Sequence, residues 1–151
     1  MLREAFTDRL KVAMKARDTR TVSTVRLILA ALKERDVSAR GEGNTQGLGD
    51  PDIARMLQGM IKQRRESIAL YDQGNRPDLA QQEGGEIAII ESFLPQQMSE
   101  DEITVEAQSV IAETGAAGMR DMGKVMAALR ERHAGAMDFS RVGPIVKRLL
   151  G

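Results

Sequence analysis

The amino-acid sequence predicts an all-α protein of seven helices, with a four-helix domain over residues 1–95 and a three-helix domain over residues 96–151. Three observations carry this prediction. Every periodic segment repeats apolar residues at helical spacing, and none alternates as a strand would. Apolar residues make up 42% of the 151 positions, enough to form a hydrophobic core. The segment "LPQQMSEDE", residues 94–102, interrupts the helical pattern and is the predicted domain boundary.

The first two helices are predicted from apolar stripes on either side of a break at Asp18 and Thr19. The first stripe comprises Leu2, Phe6, Leu10, Ala13 and Met14, and the second comprises Val22, Val25, Ile28, Leu29 and Leu32. Residues 37–49, "VSARGEGNTQGLG", contain four glycines and no apolar period. This segment predicts a mobile loop, and without a preceding strand or a lysine it does not predict a phosphate site.

Turn residues mark the third and fourth helices. Asp50, which precedes a proline, is the expected N-cap of a helix that runs to Tyr71. Residues 74–75, Gly-Asn, suit its C-terminal stop. Pro77 suits the start of the fourth helix, and Pro95 closes it.

The C-terminal helices begin at a capping box formed by Ser99 and Glu102, which predicts a helix from about residue 100 to near Gly115. Residues 119–133 predict an amphipathic helix whose apolar face comprises Met122, Val125, Met126 and Leu129.

The last helix is predicted to begin late. Asp138 or Ser140 is its expected cap, and its apolar face comprises Val142, Ile145, Val146 and Leu149. Pro144 fits only near a first turn, so residues 138–143 are expected to be irregular.

The stretch "GMRDMGK", residues 118–124, has the G-x-x-x-x-G-K spacing of a phosphate-binding loop. Such a loop needs Ser or Thr after the lysine and a strand before it. Here Val125 follows Lys124 and a helix precedes the motif, so a nucleotide-hydrolysing site is not expected. Gly118 and Gly123 are expected instead to let a helix start and pack closely on its neighbours.

Arg64 falls inside the buried stripe of the third helix on a helical wheel, and its guanidinium therefore needs an acceptor. An antiparallel hairpin that turns at Asn75 places position 64 opposite Glu86, with Glu83 one turn away. The sequence predicts a structural ion pair of Arg64 with Glu86 or Glu83. A ligand-facing Arg64 is the alternative.

Charge is distributed unevenly along a chain whose net charge is zero. Residues 1–40 carry a balance of +5, residues 41–118 one of −9, and residues 119–151 one of +4. A basic segment is compatible with phosphate contact in RNA. The candidate RNA-binding residues, all expected on exposed helix faces, are Arg120, Lys124, Lys147 and Arg148.

Composition disfavours several other functions. The absence of Cys excludes disulfides, thiolate metal sites and Cys nucleophiles, and His133 is the single histidine, so no metal site is expected. Aromatic residues make up only 3%, too few for base-stacking platforms. No catalytic residues and no cofactor are predicted. Without a signal peptide or an apolar run of membrane-spanning length, the chain is expected to be cytoplasmic, without membrane contact.

Two long stretches carry a resemblance to a known family. "IKQRRESIALYDQGNRPDLAQQEGGEIAIIESFLPQQMSEDEI" resembles the middle of the bacterial YqeY-like proteins, relatives of the tail of the GatB amidotransferase subunit. "TGAAGMRDMGKVMAALRERHAG", followed by D-x-x-x-V-x-x-x-V-K-x-x-L, resembles the tail itself. The chain departs from many relatives at Asp138–Phe139, where they have Asp-Gly.

The resemblance implies a four-helix domain followed by a three-helix, GatB-tail-like domain that contacts tRNA. It also implies the family label of carbon–nitrogen ligase activity with glutamine as amido-nitrogen donor, although the domains that carry this chemistry in the larger protein have no counterpart here. The leading hypothesis is a non-catalytic tRNA-binding module. The alternatives are an adaptor that docks on amidotransferase or tRNA-charging proteins through residues 96–118 or a methionine strip (Met119, Met122, Met126), and an amidotransferase component active only with partner subunits.

Overall fold

The computed structural model describes residues 1–133 and 135–151, and within these ranges the chain forms seven α-helices, one 3₁₀ turn and no strand. The all-α prediction is therefore confirmed. The helices are α1 (Leu2–Ala16), α2 (Thr19–Gly41), α3 (Asp50–Gln73), α4 (Pro77–Glu91), α5 (Glu100–Thr114), α6 (Met122–Arg132) and α7 (Phe139–Leu150). None of the described helices is long and apolar enough to cross a membrane.

The chain divides into two compact units, Met1–Leu94 and Pro95–Gly151, called here the N-terminal and C-terminal units. That residues 1–95 and 96–151 are separate domains stays a prediction. In the N-terminal unit α3 and α4 form a hairpin, and α1 and α2 pack with it around a core that includes Phe6, Ile28 and Leu57. Phe6 packs edge-on against Phe93, with ring centroids 4.8 Å apart.

Helix α2 is longer than the sequence predicted, because it continues to Gly41 and leaves a loop of residues 42–49 only. Its last turns are held by contacts that are distant in sequence. Asp36 accepts two 2.7 Å hydrogen bonds from the Arg3 guanidinium and one of 2.9 Å from the Leu48 N–H. The Arg3 contact lowers the pKa of the Asp36 carboxyl to about 2. Local composition does not predict this helix end, because its stabilising partners lie on α1 and near the far end of the loop.

Asp50 does not cap α3 as predicted. Gly49 occupies the N-cap position, and Asp50 is the first helical residue. Its carboxylate instead accepts a 3.2 Å hydrogen bond from the Leu2 N–H. By contrast, Asp18 caps α2 at the predicted break, where its carboxylate accepts hydrogen bonds from the N–H and hydroxyl of Thr21.

In the C-terminal unit α5, α6 and α7 pack on one another around fully buried residues such as Ile103, Leu129 and Val146. Ser99 begins α5, since its hydroxyl oxygen accepts a 3.2 Å hydrogen bond from the Glu102 N–H. The Ser99 hydroxyl in turn donates a 3.1 Å hydrogen bond to the Glu102 carboxylate. The bond from the Glu102 N–H to Ser99 is the half of the predicted capping box that forms. Gly115 ends the helix in the left-handed conformation, with φ 68°.

The predicted irregular segment at residues 138–143 is wrong, because α7 begins at Phe139 and contains Pro144. Asp138 is the cap, accepting a 3.0 Å hydrogen bond from the Ser140 N–H. A proline inside a helix loses one hydrogen bond and crowds the preceding residue. That residue is Gly143, which has no Cβ to clash with the ring, and burial of the apolar face of α7 offsets the lost bond.

Candidate nucleic-acid interface

The C-terminal unit contains seven lysines and arginines, and three of them have partners that occupy their side chains. Arg132 forms an ion pair with Glu113, and Arg141 lies 3.3 Å from Glu100. Arg130 lies over the ring of Phe139, with the guanidinium carbon 5.5 Å from the ring centroid. These contacts join α5, α6 and α7 to one another. The three arginines therefore stabilise the packing of the unit.

Lys124 is exposed, and its ammonium group donates a 3.1 Å hydrogen bond to the Thr114 carbonyl, at the C-terminal end of α5. A cation at that end interacts favourably with the helix dipole. A carbonyl does not neutralise the charge, and the ammonium group has two further N–H donors. Lys124 therefore combines a structural contact with an available positive charge, a dual role that the sequence did not predict.

The remaining three cations, Arg120, Lys147 and Arg148, are exposed, and none forms an ion pair with any residue in the described ranges. Arg120 lies in the 3₁₀ turn Met119–Asp121, which leads into α6. Lys147 and Arg148 lie in the last turn of α7, away from the buried residues of that helix. The four predicted RNA-binding residues are thus the cations of this unit that have neither an ion pair nor a ring contact within the described residues.

Phe139 is the single Phe, Tyr or Trp residue between positions 95 and 151. Its ring is partly buried and covered by Arg130. Base stacking requires an accessible ring face. The exposed cations are therefore placed to contact phosphates, whereas the Phe139 ring is not open to a base.

The G-x-x-x-x-G-K stretch has none of the geometry of a nucleotide loop. Gly118 is extended, with φ −174°, and it precedes the 3₁₀ turn. A Cβ added at Gly118 or Gly123 would meet no atom within 4 Å. The expectation that these glycines allow close helix packing is therefore wrong, since both positions face open space.

The methionine strip lies largely in the core. Met126 is buried, Met122 packs partly buried against the core, and Met137 beside them is also buried. Met119 alone of these four is exposed. Most of the strip is therefore unavailable as a surface for a partner.

The structure brings Arg64 together with the acceptors that the hairpin register predicted. Its Nε lies 2.9 Å from Glu86 Oε2 and 4.0 Å from Glu83 Oε2, and its Nη1 donates a 3.2 Å bond to the Met60 carbonyl. All three charged side chains are largely buried between α3 and α4. This arrangement holds the guanidinium in place and leaves it little freedom to reach a ligand.

The described residues contain no group of three His, Asp or Glu side chains that could hold a metal ion. His133, at the end of α6, lies with Nε2 3.1 Å from the Glu106 carboxylate. It is partly buried against α5.

Comparison with known proteins gives one family and several curated relatives. Residues 3–150 match the family described as Yqey-like protein. The protein "Altered inheritance of mitochondria protein 41, mitochondrial" of Lachancea thermotolerans is 32% identical over 106 residues, which cover 69% of this chain and 54% of the relative. The protein of the same name in Saccharomyces cerevisiae strain YJM789 is 28% identical over 97 residues, which cover 64% of this chain and 50% of the relative. The chain spans about half the length of these relatives.

Proposed function

The chain belongs to the Yqey-like protein family, and we propose that its C-terminal unit binds the phosphate backbone of RNA. The resemblance of residues 114–150 to the amidotransferase tail favours tRNA as the RNA class. The proposed role is binding and not catalysis, because it assigns each cation to a phosphate and none to a reacting atom.

One observation carries the proposal. Arg132 and Arg141 are paired with carboxylates and Arg130 lies over the Phe139 ring, while Arg120, Lys124, Lys147 and Arg148 are exposed cations with neither kind of contact within the described residues. An unneutralised surface cation gains free energy when it displaces the counterions condensed on a nucleic acid.

The acidic residues of α5 restrict where RNA can approach. Glu100, Asp101 and Glu102 lie in its first turn, and all are exposed. Their charge repels phosphates on the α5 side. RNA is therefore expected to contact the unit through the ends of α6 and α7 that carry the four cations.

The same unit is proposed to recognise RNA by shape. Phosphate contacts fix the position of a protein on RNA without reading base identity, and Phe139 is not open for stacking. Structured RNA with closely spaced phosphates is thus the favoured ligand. Amidotransferase or tRNA-charging partners, a bacterial origin and a cytoplasmic location stay predictions.

A salt titration tests the proposal. Binding of a mixed tRNA sample is measured by fluorescence anisotropy at several salt concentrations, starting near 50 mM. Four phosphate contacts predict a slope of log K against log salt of about −3. Lys124→Ala with Lys147→Ala should reduce the slope by about one unit per lysine.

Lys62→Ala is the matched control, since Lys62 is an exposed lysine on α3 of the N-terminal unit. It should leave both affinity and slope unchanged. Lys147→Ala separates binding from folding, because Lys147, unlike Lys124, has no hydrogen bond to a neighbouring helix within the described residues. If wild-type protein does not bind tRNA at 50 mM salt, the proposal fails and the adaptor hypothesis takes its place. Added glutamine-dependent amidation on mixing with amidotransferase subunits would instead support the component hypothesis.

A further inference from the structure

A groove of about 530 Å³ lies on the N-terminal unit where α1 ends and α2 begins. Met14 and Val22 supply its apolar wall. Arg17, Ser23 and Arg26 supply polar groups around it. A concave apolar surface with a few charged groups at its rim is the usual form of a binding site.

The apolar part of the groove is open to solvent. Met14 is 51% exposed, although the rest of the α1 stripe faces the core. Leu27, one turn along α2 from Ser23, is also exposed. Exposed apolar side chains next to a concave surface indicate a place where a partner could bury them.

The charge of the groove is positive. Arg17 and Arg26 are exposed, and neither forms an ion pair with a described residue. Asp18 is the acidic residue of this corner, and its carboxylate accepts hydrogen bonds from the Thr21 N–H and hydroxyl and keeps its charge, so two arginines against one aspartate leave a net positive charge.

Arg17 has a backbone conformation that favours glycine, with φ 55° and ψ 35°. It occupies the C-cap of α1, where Gly or Asn adopts this conformation at lower cost. The fold alone therefore favours another residue at this position. The guanidinium gives the groove a cation that glycine would not.

We propose that this groove docks an acidic, amphipathic segment of a partner protein. An apolar side chain of that segment packs on Met14 and Val22, while its carboxylates pair with Arg17 and Arg26. Charge complementarity selects an acidic ligand, and the apolar wall favours a peptide over RNA, whose phosphates gain nothing from it. This inference concerns the N-terminal unit and does not rest on the proposed RNA-binding function.

The test uses the full chain and two labelled peptides in fluorescence anisotropy. The probe has the sequence of α5, Glu100–Thr114, which is amphipathic and carries five carboxylates and no cation. The control peptide has Gln or Asn at the five acidic positions. The acidic peptide should bind saturably and more tightly than the neutral one. Arg17→Gly and Arg26→Gln should each weaken it about fivefold.

The Arg17→Gly variant separates binding from stability, because glycine relieves the positive-φ strain and should keep or raise the urea midpoint while it weakens the peptide. Lys33→Gln, an exposed cation further along α2, is the matched control and should leave binding unchanged. The proposal is overturned by absent saturable binding, by equal binding of the neutral peptide, or by equal binding to Arg17→Gly.

Competition by a uridine oligonucleotide would identify a nucleic-acid site. Self-association that Arg26→Gln abolishes would identify a second copy of the chain as the occupant, and either result would overturn the assignment to a partner protein.

Discussion

Arg64→Leu is the substitution that tests the packing of α3 on α4 most directly. The Arg64, Glu86 and Glu83 side chains are 12%, 14% and 21% exposed, and the guanidinium is the cation that holds both carboxylates. Removing one partner of a buried ion pair leaves an uncompensated charge, which costs about 3–5 kcal/mol. Because each carboxylate retains some contact with water, we expect the lower end of this range, about 3 kcal/mol.

The neighbouring residue provides the control. Arg65 also contacts α4, with its Nη2 3.3 Å from Glu91 Oε1, but these side chains are 49% and 40% exposed. Exposed ion pairs contribute at most about 1 kcal/mol. Arg65→Leu should therefore destabilise the N-terminal unit far less than Arg64→Leu does.

Urea unfolding followed by tyrosine fluorescence measures the difference. Tyr71 is the single tyrosine, no tryptophan is present, and Tyr71 lies on α3, so the signal reports the N-terminal unit. A loss of about 3 kcal/mol should lower the urea midpoint by about 1 M or more. Adding Glu86→Leu should recover part of the loss, since apolar replacement of a buried pair is close to neutral but Glu83 remains without its cation. Equal midpoints for Arg64→Leu and Arg65→Leu would refute the reasoning.

Three further predictions concern stability. The folded-state pKa of Asp36 is about 2, below its ordinary value of 3.8. The ionised Asp36 carboxylate therefore contributes its full stabilisation of the fold above pH 3.8, and this stabilisation is lost as the pH falls toward 2. Partial exposure limits the loss to about 1 kcal/mol, and Asp36→Asn should remove this pH dependence of the urea midpoint. Thr24→Val should stabilise the protein by about 1 kcal/mol in thermal unfolding, because the buried Thr24 hydroxyl has no hydrogen-bond partner among the described residues. Gly84→Ala should raise the melting temperature through a gain of about 1 kcal/mol, and Gly85→Ala should gain less, because its Cβ would lie 2.5 Å from Arg20 Nη1.

Each of these predictions has a result that contradicts it. An unchanged acid transition in Asp36→Asn would mean that other carboxyls control stability at low pH. A destabilised Thr24→Val would show that the hydroxyl is satisfied in solution. Equal gains at the two glycines would show that the arginine moves aside without cost.

The sequence predicted three helix boundaries that depend on neighbouring residues: the break at Asp18 and Thr19, the start at Ser99 and the end near Gly115. Asp18 caps α2 and Ser99 caps α5, while Gly115 ends α5 in a left-handed conformation. These features depend on hydrogen bonds and backbone angles within a few residues. Local sequence is therefore sufficient to find them.

The helix ends that the sequence missed depend on distant or compensating contacts. The Asp50 carboxylate accepts a hydrogen bond from the Leu2 N–H, 48 residues away, and does not cap α3. The end of α2 is fixed by an arginine on α1 through Asp36, 33 residues apart. Pro144 is tolerated inside α7 because the preceding Gly143 and the buried helix face offset its cost.

The cations of the candidate site also show which features local sequence predicts and which depend on distant contacts. Helical periodicity alone was enough to expect Arg120, Lys124, Lys147 and Arg148 on outer faces, because exposure follows from the stripe of apolar residues on each helix. It could not indicate which cations would be neutralised. Arg132 meets a glutamate 19 residues away and Arg141 one 41 residues away, pairings that exist only once α5, α6 and α7 have packed. The sequence thus determined where the charges lie on each helix, and the tertiary structure decided which of them remain available to a ligand.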